Sequence, residues 1–210
     1  MKLYYNPYGC SLAVLIAAAE AGITLDLEWV DILNDPHRLM DGSDYSGINP
    51  KNYVPLLQRD DGSTLTEVAV ILQYLADSVP EPGLAPAPGT EARLRLQEWL
   101  NFLSSELHKF FSPWLFHPEV GELAQAYARE KIASRFAIVD GALARTDFVA
   151  GETFTAADAY LFVMVNWSDF ANVPLGAYPH LRAWFDRMKA RPAVKEAVRL
   201  HSRQPAAAAA

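Results

Sequence analysis

The sequence predicts an α/β domain over residues 1–80, followed by an all-helical domain over residues 91–203. Residues 1–80 alternate short strand-like runs with helical runs, which is typical of a small mixed sheet with helices on its faces. Residues 80–90 hold four prolines and two glycines, which element interiors exclude, so we predict a linker over 81–90. Every later run looks helical, and 210 residues are enough for two modest domains.

The first domain begins with a predicted β–α–β unit. Residues 2–5 are strand-like and end at the turn-forming segment 6–9. Residues 11–21 have the apolar content of a buried helix, which Gly22 stops. Residues 25–30 alternate apolar with acidic side chains and predict the second strand.

The remainder of the first domain predicts a loop, a hairpin and a helix. Residues 31–45 are polar and irregular, and Pro36 can start a short helix at its first turn. Strand-like residues 54–57 and 64–66 flank a turn at 60–63, which indicates a hairpin. Residues 67–78 predict a helix, so the expected element order is βαβ-α-ββα.

The second domain predicts a series of helices. Apolar residues between Leu96 and Phe111 follow the 3.6-residue period over about four turns. Thr155 and Asp158 form a predicted capping box, which indicates a folding signal with no chemistry attached. The alanine-rich tail, residues 204–210, is expected to fray. Further helical stretches cover residues 122–144, 155–173, 179–190 and 192–201.

Composition and charge exclude several classes of protein. The net charge of −7 argues against a nucleic-acid partner, because phosphate binding needs a basic face. The first residues lack the apolar region of a secretory signal, and the longest apolar run, residues 12–19, is too short to span a membrane. One cysteine cannot form an intrachain disulfide, so nothing requires an oxidising compartment. We therefore expect a cytoplasmic protein without a membrane partner.

Cys10 stands between a predicted turn and a predicted helix start. Unpaired N–H groups at a helix N-terminus favour a thiolate and lower the pKa of a thiol. The end of the first strand is also where open α/β sheets place their ligands. The alternative is a buried and inert cysteine, the usual state of this residue type. Pro7 and Ala13 stand three residues away on either side, so there is no Cys-x-x-Cys motif and a dithiol oxidoreductase is disfavoured.

Several short motifs accompany Cys10 in a fixed order along the chain. They are Asn49-Pro50-Lys51, Val54-Pro55, Leu65-Thr66-Glu67, Gln73 to Asp77, Glu98 to Asn101, Glu106 to Lys109 and Phe154 to Leu161. With the strand, the turn and the helix around Cys10, this ordered set resembles the beta-class glutathione transferases over residues 2–195. The resemblance implies a thioredoxin-like first domain and a homodimeric detoxification enzyme. It also implies glutathione as co-substrate, with no metal and no other cofactor.

The resemblance assigns glutathione-binding roles in the first domain. Val54 precedes a proline that is cis in the family, and its N–H and C=O are expected to pair with the cysteinyl backbone of glutathione. Glu67 and Val68 are expected to open a helix capped by Thr66. The Glu67 carboxylate suits the γ-glutamyl ammonium, and the N–H of Val68 suits the γ-glutamyl carboxylate. Alternatively, Glu67 only complements the helix dipole.

Two positions depart from the family pattern. Val68 stands where relatives usually carry a small residue such as Ser or Gly, so a hydroxyl contact is lost and weaker binding is expected. His37 falls near the place of a lysine that meets the glycyl carboxylate, and Arg38 is the other candidate cation.

The first helix of the second domain carries polar residues at spacings of three, four and three: Glu98, Asn101, Ser105 and His108. Such a stripe is more often a solvated face of a helix. The resemblance implies instead that His108 acts with Cys10 at the glutathione sulfur. It also implies that Asn101 and Glu106 reach glutathione bound in the neighbouring subunit, and we expect Ser105 on the same stripe to contact glutathione.

The predicted reaction is attack of the glutathione thiolate on an apolar electrophile, with possible thiol–disulfide exchange through Cys10. Two other functions stay open: a glutaredoxin-like monothiol reductase of glutathione mixed disulfides, and a non-catalytic binding protein with the transferase fold. Aromatic residues are the candidates for the acceptor pocket, with a place in the core as the alternative: Tyr5, Phe111, Trp114 and Trp167.

Overall fold

The computed structural model describes residues 1–7, 9–79 and 83–203. The predicted tail, 204–210, and the first two residues of the predicted linker lie outside the described residues. The chain forms two compact units, Met1–Pro82 with Pro192–Ala210 and, separately, Gly83–Arg191. Among the described residues, no helix is both long enough and apolar enough to cross a membrane.

The first unit is built on a five-stranded sheet with the strand order β3-β2-β1-β4-β5. β1 runs parallel to β2, with Lys2 opposite Asp26, and antiparallel to β4, with Lys2 opposite Gln58. The predicted β–α–β start and the hairpin of β4 and β5 are thereby confirmed. The strands are β1 (Lys2–Tyr5), β2 (Asp26–Asp31), β3 (Arg38–Leu39), β4 (Leu56–Gln58) and β5 (Thr64–Leu65).

Among its described residues, the first unit has three α-helices: α1 (Ser11–Glu20), α2 (Val68–Asp77) and α8 (Pro192–His201). α1 is buried from Ser11 to Ala18 and packs against both α2 and α8, which explains why it has no polar face. The predicted helical domain includes residues 192–203, whereas in the structure α8 packs on α1 and belongs to the first unit. The helical period of α8 was visible in the sequence, but the surface that it covers was not.

The segment after β2 differs from its prediction. Instead of a helix begun by Pro36, the chain forms β3, which pairs antiparallel with β2, and a single 3₁₀ turn at Tyr45–Gly47. Tyr45 is fully buried, and its ring packs against that of Tyr4 at a centroid distance of 5.7 Å. The burial of one large aromatic side chain therefore outweighs the local helix signal at Pro36.

The second unit is helical, apart from an isolated β-bridge between Phe148 and Gly151. α6 is buried from Ala156 to Val165 and packs against α3 and α7. The helical segments are α3 (Glu91–Phe102), a π-helical stretch (Leu103–His108), α4 (Lys109–Phe111), α5 (Glu122–Leu143), α6 (Ala156–Asn166) and α7 (Pro179–Ala190), with 3₁₀ turns at Pro118–Val120 and Leu175–Ala177.

Two helices of the second unit depart from the predicted bounds. α6 ends at Asn166, earlier than expected, and Asn172 adopts a φ of +56°, which a right-handed helix does not allow. The helix that begins at Glu91 changes from α to π geometry after Phe102. In a π-helix each N–H bonds to the fifth residue before it, so side chains after that point leave the α-helical spacing.

The predicted capping box at the start of α6 is confirmed. The Asp158 carboxylate accepts hydrogen bonds from Thr155 N (2.9 Å), Thr155 Oγ1 (3.0 Å), Val149 N (3.0 Å) and Trp184 Nε1 (3.1 Å). Complete burial raises the pKa of Asp158 to about 6, although all four hydrogen bonds act in the opposite direction. Asp158 therefore ties the start of α6 to α7 and to the loop before it.

Candidate functional site

Cys10 occupies the N-cap position of α1, directly after the turn that follows β1. The turn is closed by a hydrogen bond from Gly9 N to Asn6 O (3.0 Å), and Ala13 N bonds to Cys10 O (3.1 Å). The Cys10 side chain keeps 9% of its surface exposed, and its Sγ donates to the carbonyl oxygen of Val54 at 3.8 Å. The thiol thus lies beside the segment that leads into β4, within a single unit.

Val54 precedes a cis peptide bond to Pro55, as predicted, and is half-buried. Its carbonyl faces the Cys10 thiol. Its N–H donates to no group among the described residues, although Pro55 behind it is buried. An extended backbone segment needs such an open N–H and C=O in order to pair with a sheet edge.

The start of α2 corrects the predicted cap. Glu67, not Thr66, is the N-cap residue. Its backbone adopts φ = +68° and ψ = 117°, a conformation that residues other than glycine rarely adopt. The N–H groups of Val68 and Ala69 have no partner among the described residues, as expected for the first turn of a helix. These donors, with the positive end of the helix dipole, suit a carboxylate.

Glu67 also has a partner that the sequence analysis missed. Lys51 Nζ lies 2.8 Å from Glu67 Oε1 and 2.9 Å from Thr66 Oγ1. The turn that presents Lys51 is held by Asn49, a buried residue whose Oδ1 accepts from Lys51 N at 3.1 Å. The motif Asn49-Pro50-Lys51 was noticed in the sequence, but the contact spans 16 residues and no local pattern reports it.

His37 lies just before β3 and is half-buried. Its N–H donates to Asn52 Oδ1 (3.2 Å) and its carbonyl accepts from Tyr45 N (2.9 Å). Its ring atom Nδ1 is buried and has no hydrogen-bond partner among the described residues. The other candidate cation, Arg38, donates through Nη1 to Gly42 O in its own turn (3.1 Å). His37 Nδ1 is therefore unsatisfied but closed off from solvent, whereas the exposed Arg38 guanidinium keeps further N–H donors that a ligand can reach.

His108, the last residue of the π-helical stretch, points into the second unit. Its Nδ1 lies 2.8 Å from Tyr160 Oη, and its ring contacts Trp167 at a centroid distance of 5.3 Å. Burial, and secondarily the charge of Lys109, lowers the pKa of His108 to about 4. The imidazole is therefore neutral near pH 7, and its ring is fixed by two aromatic neighbours.

The four residues of the predicted polar stripe do not share one helix face, because the helix changes to π geometry after Phe102. Asn101 and Ser105 are exposed, and Ser105 Oγ donates to Asn101 O (3.0 Å). His108 instead packs inward, because the wider turn after Phe102 rotates it out of the α-helical series. Glu106 is also exposed and pairs with Arg135 of the same chain at 2.7 Å.

Comparison with known proteins assigns the chain. Two family models match it: the glutathione S-transferase N-terminal domain over residues 9–78 and the glutathione S-transferase C-terminal domain over residues 102–192. The glutathione S-transferase GstA of Escherichia coli O157:H7 is 40% identical over 198 residues, which cover 94% of this chain and 97% of that relative. The chain belongs to the glutathione S-transferase family.

Solved structures agree with this assignment. A bacterial beta class glutathione S-transferase of Sphingomonas chungbukensis is 39% identical, with a TM-score of 0.90 and coverage of 96% of this chain and 99% of that one. A sphingomonad glutathione S-transferase complexed with glutathione is 41% identical, with a TM-score of 0.90 and coverage of 96% and 98%. The beta-class resemblance is confirmed, and this chain is a glutathione transferase.

The aromatic residues proposed for the acceptor pocket of the transferase have different surroundings. Tyr5 is buried in the first unit and donates through its hydroxyl to Arg203 O (2.9 Å). Phe111 is fully buried and packs against Phe136 and Trp167. Both rings therefore fill core space, and of the four only Trp114 and Trp167 keep part of their surface open.

Phe116 adjoins Trp167 and Phe170 adjoins Phe116, and neither was predicted for the acceptor pocket. Phe116 meets the Trp167 ring edge-on at 5.2 Å, and Phe170 lies 5.7 Å from Phe116 with 79% of its surface exposed. Residues 155–173 were predicted as one helix, which hid Phe170. The chain leaves the helix after Asn166, and this break brings Phe170 beside Phe116.

Proposed function

We propose that this transferase binds glutathione along the first unit, beside Cys10, and conjugates its thiolate to apolar electrophiles. One observation carries the proposal. Three sets of groups with spare hydrogen-bonding capacity occur in that unit: the Val54 backbone, the first N–H groups of α2, and the neighbouring side chains of His37 and Arg38. These match the three parts of the tripeptide.

Each part of glutathione has a partner of the right chemistry. The cysteinyl backbone pairs with the N–H and C=O of Val54, as an added strand does. The γ-glutamyl carboxylate accepts from the N–H groups of Val68 and Ala69, and its ammonium meets the Glu67 carboxylate. The glycyl carboxylate accepts from the side chain of His37 or from the exposed guanidinium of Arg38. Because Glu67 is held by Lys51, the ligand ammonium shares an existing ion pair rather than a lone carboxylate.

The reaction proceeds by nucleophilic substitution. Glutathione loses its thiol proton to solvent, the sulfur attacks the electrophilic carbon, a C–S bond forms, and the leaving group departs with its electron pair. The Cys10 S–H is a donor at the end of the Val54 backbone and can hydrogen-bond the neighbouring thiolate. The roles of Asn101, Ser105, Glu106 and His108 stay predictions that rest on the family resemblance, as does the homodimer. The cytoplasmic location stays a prediction from composition and cysteine count.

A second activity, thiol–disulfide exchange, is favoured by the cysteine itself. The Cys10 thiolate attacks one sulfur of oxidised glutathione, the S–S bond breaks, and glutathione thiolate leaves, so that Cys10 carries a mixed disulfide. Reduced glutathione can reverse the step. A hydroxyl at this position has no such chemistry, so the exchange depends on the sulfur of residue 10.

The experiment is incubation with oxidised glutathione, followed by intact-mass measurement and peptide mapping. We expect one glutathione on Cys10, and none on the matched Cys10→Ser variant. An activated aryl chloride with reduced glutathione tests conjugation in parallel. A wild-type protein that gains no adduct and conjugates nothing contradicts the proposal. An adduct without conjugation indicates the monothiol reductase instead.

A further inference from the structure

A buried polar network joins the C-terminal helix to the turn that carries Cys10. His201, the last residue of α8, places its Nε2 3.1 Å from Ser11 Oγ. Ser11 Oγ in turn donates to Asn6 O at 3.1 Å, and the Asn6 side chain donates through Nδ2 to Val30 O at 2.9 Å. Asn6, Ser11 and His201 are all buried. Residues on both sides of Cys10 in the chain therefore belong to one network.

The proton positions in this network follow from counting hydrogens. Ser11 has a single hydroxyl hydrogen, which it donates to Asn6 O. The contact with His201 must therefore be donated by Nε2–H, and the ring is neutral with its proton on that atom. Burial lowers the pKa of His201 to about 4, although a hydrogen bond to the Asn6 backbone acts in the opposite direction, so the ring is neutral near pH 7.

A second contact fixes the end of α8 at the same place. Tyr5 donates through its hydroxyl to Arg203 O at 2.9 Å, and its ring lies 6.0 Å from that of His201. Tyr5 ends β1, and Asn6 begins the turn. The C-terminal segment thus contacts Tyr5, at the end of β1 before the turn, and Ser11, at the start of α1 after the turn.

Asn6 O is the point on which the turn depends. It accepts from Gly9 N at 3.0 Å and from Ser11 Oγ at 3.1 Å, so it joins the turn to the first residue of α1. The His201 N–H holds the Ser11 hydroxyl in the orientation that makes the second of these bonds. Without a donor from His201, the Ser11 hydroxyl is free to rotate, and the start of α1 loses a buried hydrogen bond.

We propose that His201 is a positioning residue for Cys10, which acts through Ser11 and through the Asn6 backbone and makes the C-terminal helix a part of the glutathione site. The inference rests on the proposed function only for its effect on turnover, because its effect on the thiol is independent of glutathione. Cys10 is the only cysteine of the chain, so a thiol reagent reports on this position alone.

The test compares two substitutions at residue 201 with a control on the same helix. His201→Phe keeps a ring but removes the donor, whereas His201→Gln restores an N–H at the place of Nε2. Val194→Ala weakens the packing of α8, where Val194 is 1% exposed, without touching the network. The readouts are the rate of Cys10 alkylation by iodoacetamide in the folded protein, kcat/KM for conjugation, and the melting temperature.

We expect His201→Phe to speed alkylation about fivefold, the change in local opening that one net buried hydrogen bond provides. Its kcat/KM should fall about tenfold, because the turn that orients the thiol is loosened. His201→Gln should restore both values. Val194→Ala should leave both near wild type at a comparable loss of melting temperature. If His201→Phe does not fold, Ser11→Ala is used in its place with the same expectation for alkylation.

Two results overturn the proposal: an alkylation rate of His201→Phe equal to that of wild type, or an equal acceleration in Val194→Ala, which assigns the effect to helix packing alone. Failure of the proposed function looks different. In that case wild type conjugates nothing and gains no adduct, while the alkylation rates still decide whether His201 positions Cys10.

Discussion

Lys51 Nζ lies 2.8 Å from Glu67 Oε1, so the residue proposed to bind the γ-glutamyl ammonium is already engaged in an ion pair. Both side chains are more than half exposed, and an exposed pair of this kind contributes less than about 1 kcal/mol to folding. We therefore expect Glu67 to contribute to glutathione binding rather than to folding. The unusual backbone of Glu67, with φ at +68°, aims it at the start of α2, where it is proposed to meet the ligand.

Glu67→Gln is expected to raise the KM for glutathione about tenfold and to leave kcat nearly unchanged. The reason is that a charge-assisted hydrogen bond to the ammonium is replaced by a neutral one in both the ground state and the transition state. Steady-state kinetics with varied glutathione measures the effect. Asp186→Asn, which removes an exposed carboxylate paired with Lys189, is the control and should change neither constant. An unchanged KM in Glu67→Gln removes Glu67 from the site.

Val68→Ser should lower the KM for glutathione about threefold, because a hydroxyl is restored beside the first N–H groups of α2. The cost is stability: Val68 is 6% exposed, and the lost methyl groups should lower the free energy of unfolding by about 1 kcal/mol. Val68→Ala makes a similar cavity without the hydroxyl. If both variants bind glutathione alike, the hydroxyl has no role.

Cys10→Ser should abolish the adduct with oxidised glutathione while retaining part of the conjugating activity. Conjugation uses the sulfur of glutathione, and a serine hydroxyl can still donate a hydrogen bond to it, whereas exchange uses the sulfur of Cys10. Cys10→Ala, which has no donor, should conjugate more slowly than Cys10→Ser. Equal rates in the two variants exclude a hydrogen-bonding role for residue 10.

The sequence predicted what short-range patterns can express. β1, α1 and α7 were predicted from their hydrophobic periodicity and from the turn-forming or helix-ending residues beside them. The capping box was predicted from the three-residue spacing of Thr155 and Asp158. Long-range partners were beyond such patterns. The pairing of β3 with β2 depends on the burial of Tyr45, and the Lys51–Glu67 pair depends on two turns that meet only in the folded unit.

The site shows the same division. Cys10 and Val54 could be proposed from the sequence because a turn and an X-Pro pair mark them locally. The inward position of His108 was not predicted, because no sequence pattern around Phe102 indicates that the helix changes to π geometry. The packing of α8 on α1 was also missed. The apolar stripe of α8 predicts that this face is buried, but it does not identify the helix that buries it.

Asp158→Ala should lower the free energy of unfolding by about 3–5 kcal/mol. The substitution strands the N–H groups of Val149, Thr155 and Trp184 in a buried environment, and each unsatisfied donor is costly. Denaturant unfolding measures the change. Asp158→Asn keeps one acceptor oxygen and should lose about half as much. A loss below about 1 kcal/mol in the alanine variant contradicts the role of this carboxylate in joining α6 to α7.

His201 makes the stability of the protein depend on pH in a direction that can be worked out. The pKa of His201 is lowered from 6.5 to about 4 in the folded state, so over this window the unfolded chain binds a proton that the folded chain excludes. The contribution of the neutral ring is therefore fully present above the unfolded pKa and is lost as the pH falls towards the folded one. The loss amounts to about 1.4 kcal/mol per pH unit for this one group.

His201→Gln isolates the contribution of His201 titration to the free energy of unfolding, because glutamine keeps the N–H but does not titrate. The difference in unfolding free energy between wild type and His201→Gln should be constant above about pH 7 and should shift against wild type by about 1.4 kcal/mol per unit between about pH 6 and pH 4.5. Urea unfolding at several pH values gives both curves, and shared contributions such as that of His108 cancel in the difference. A difference that does not vary with pH over this range means that His201 is not held neutral, and the donor assigned to its Nε2 must then be reconsidered.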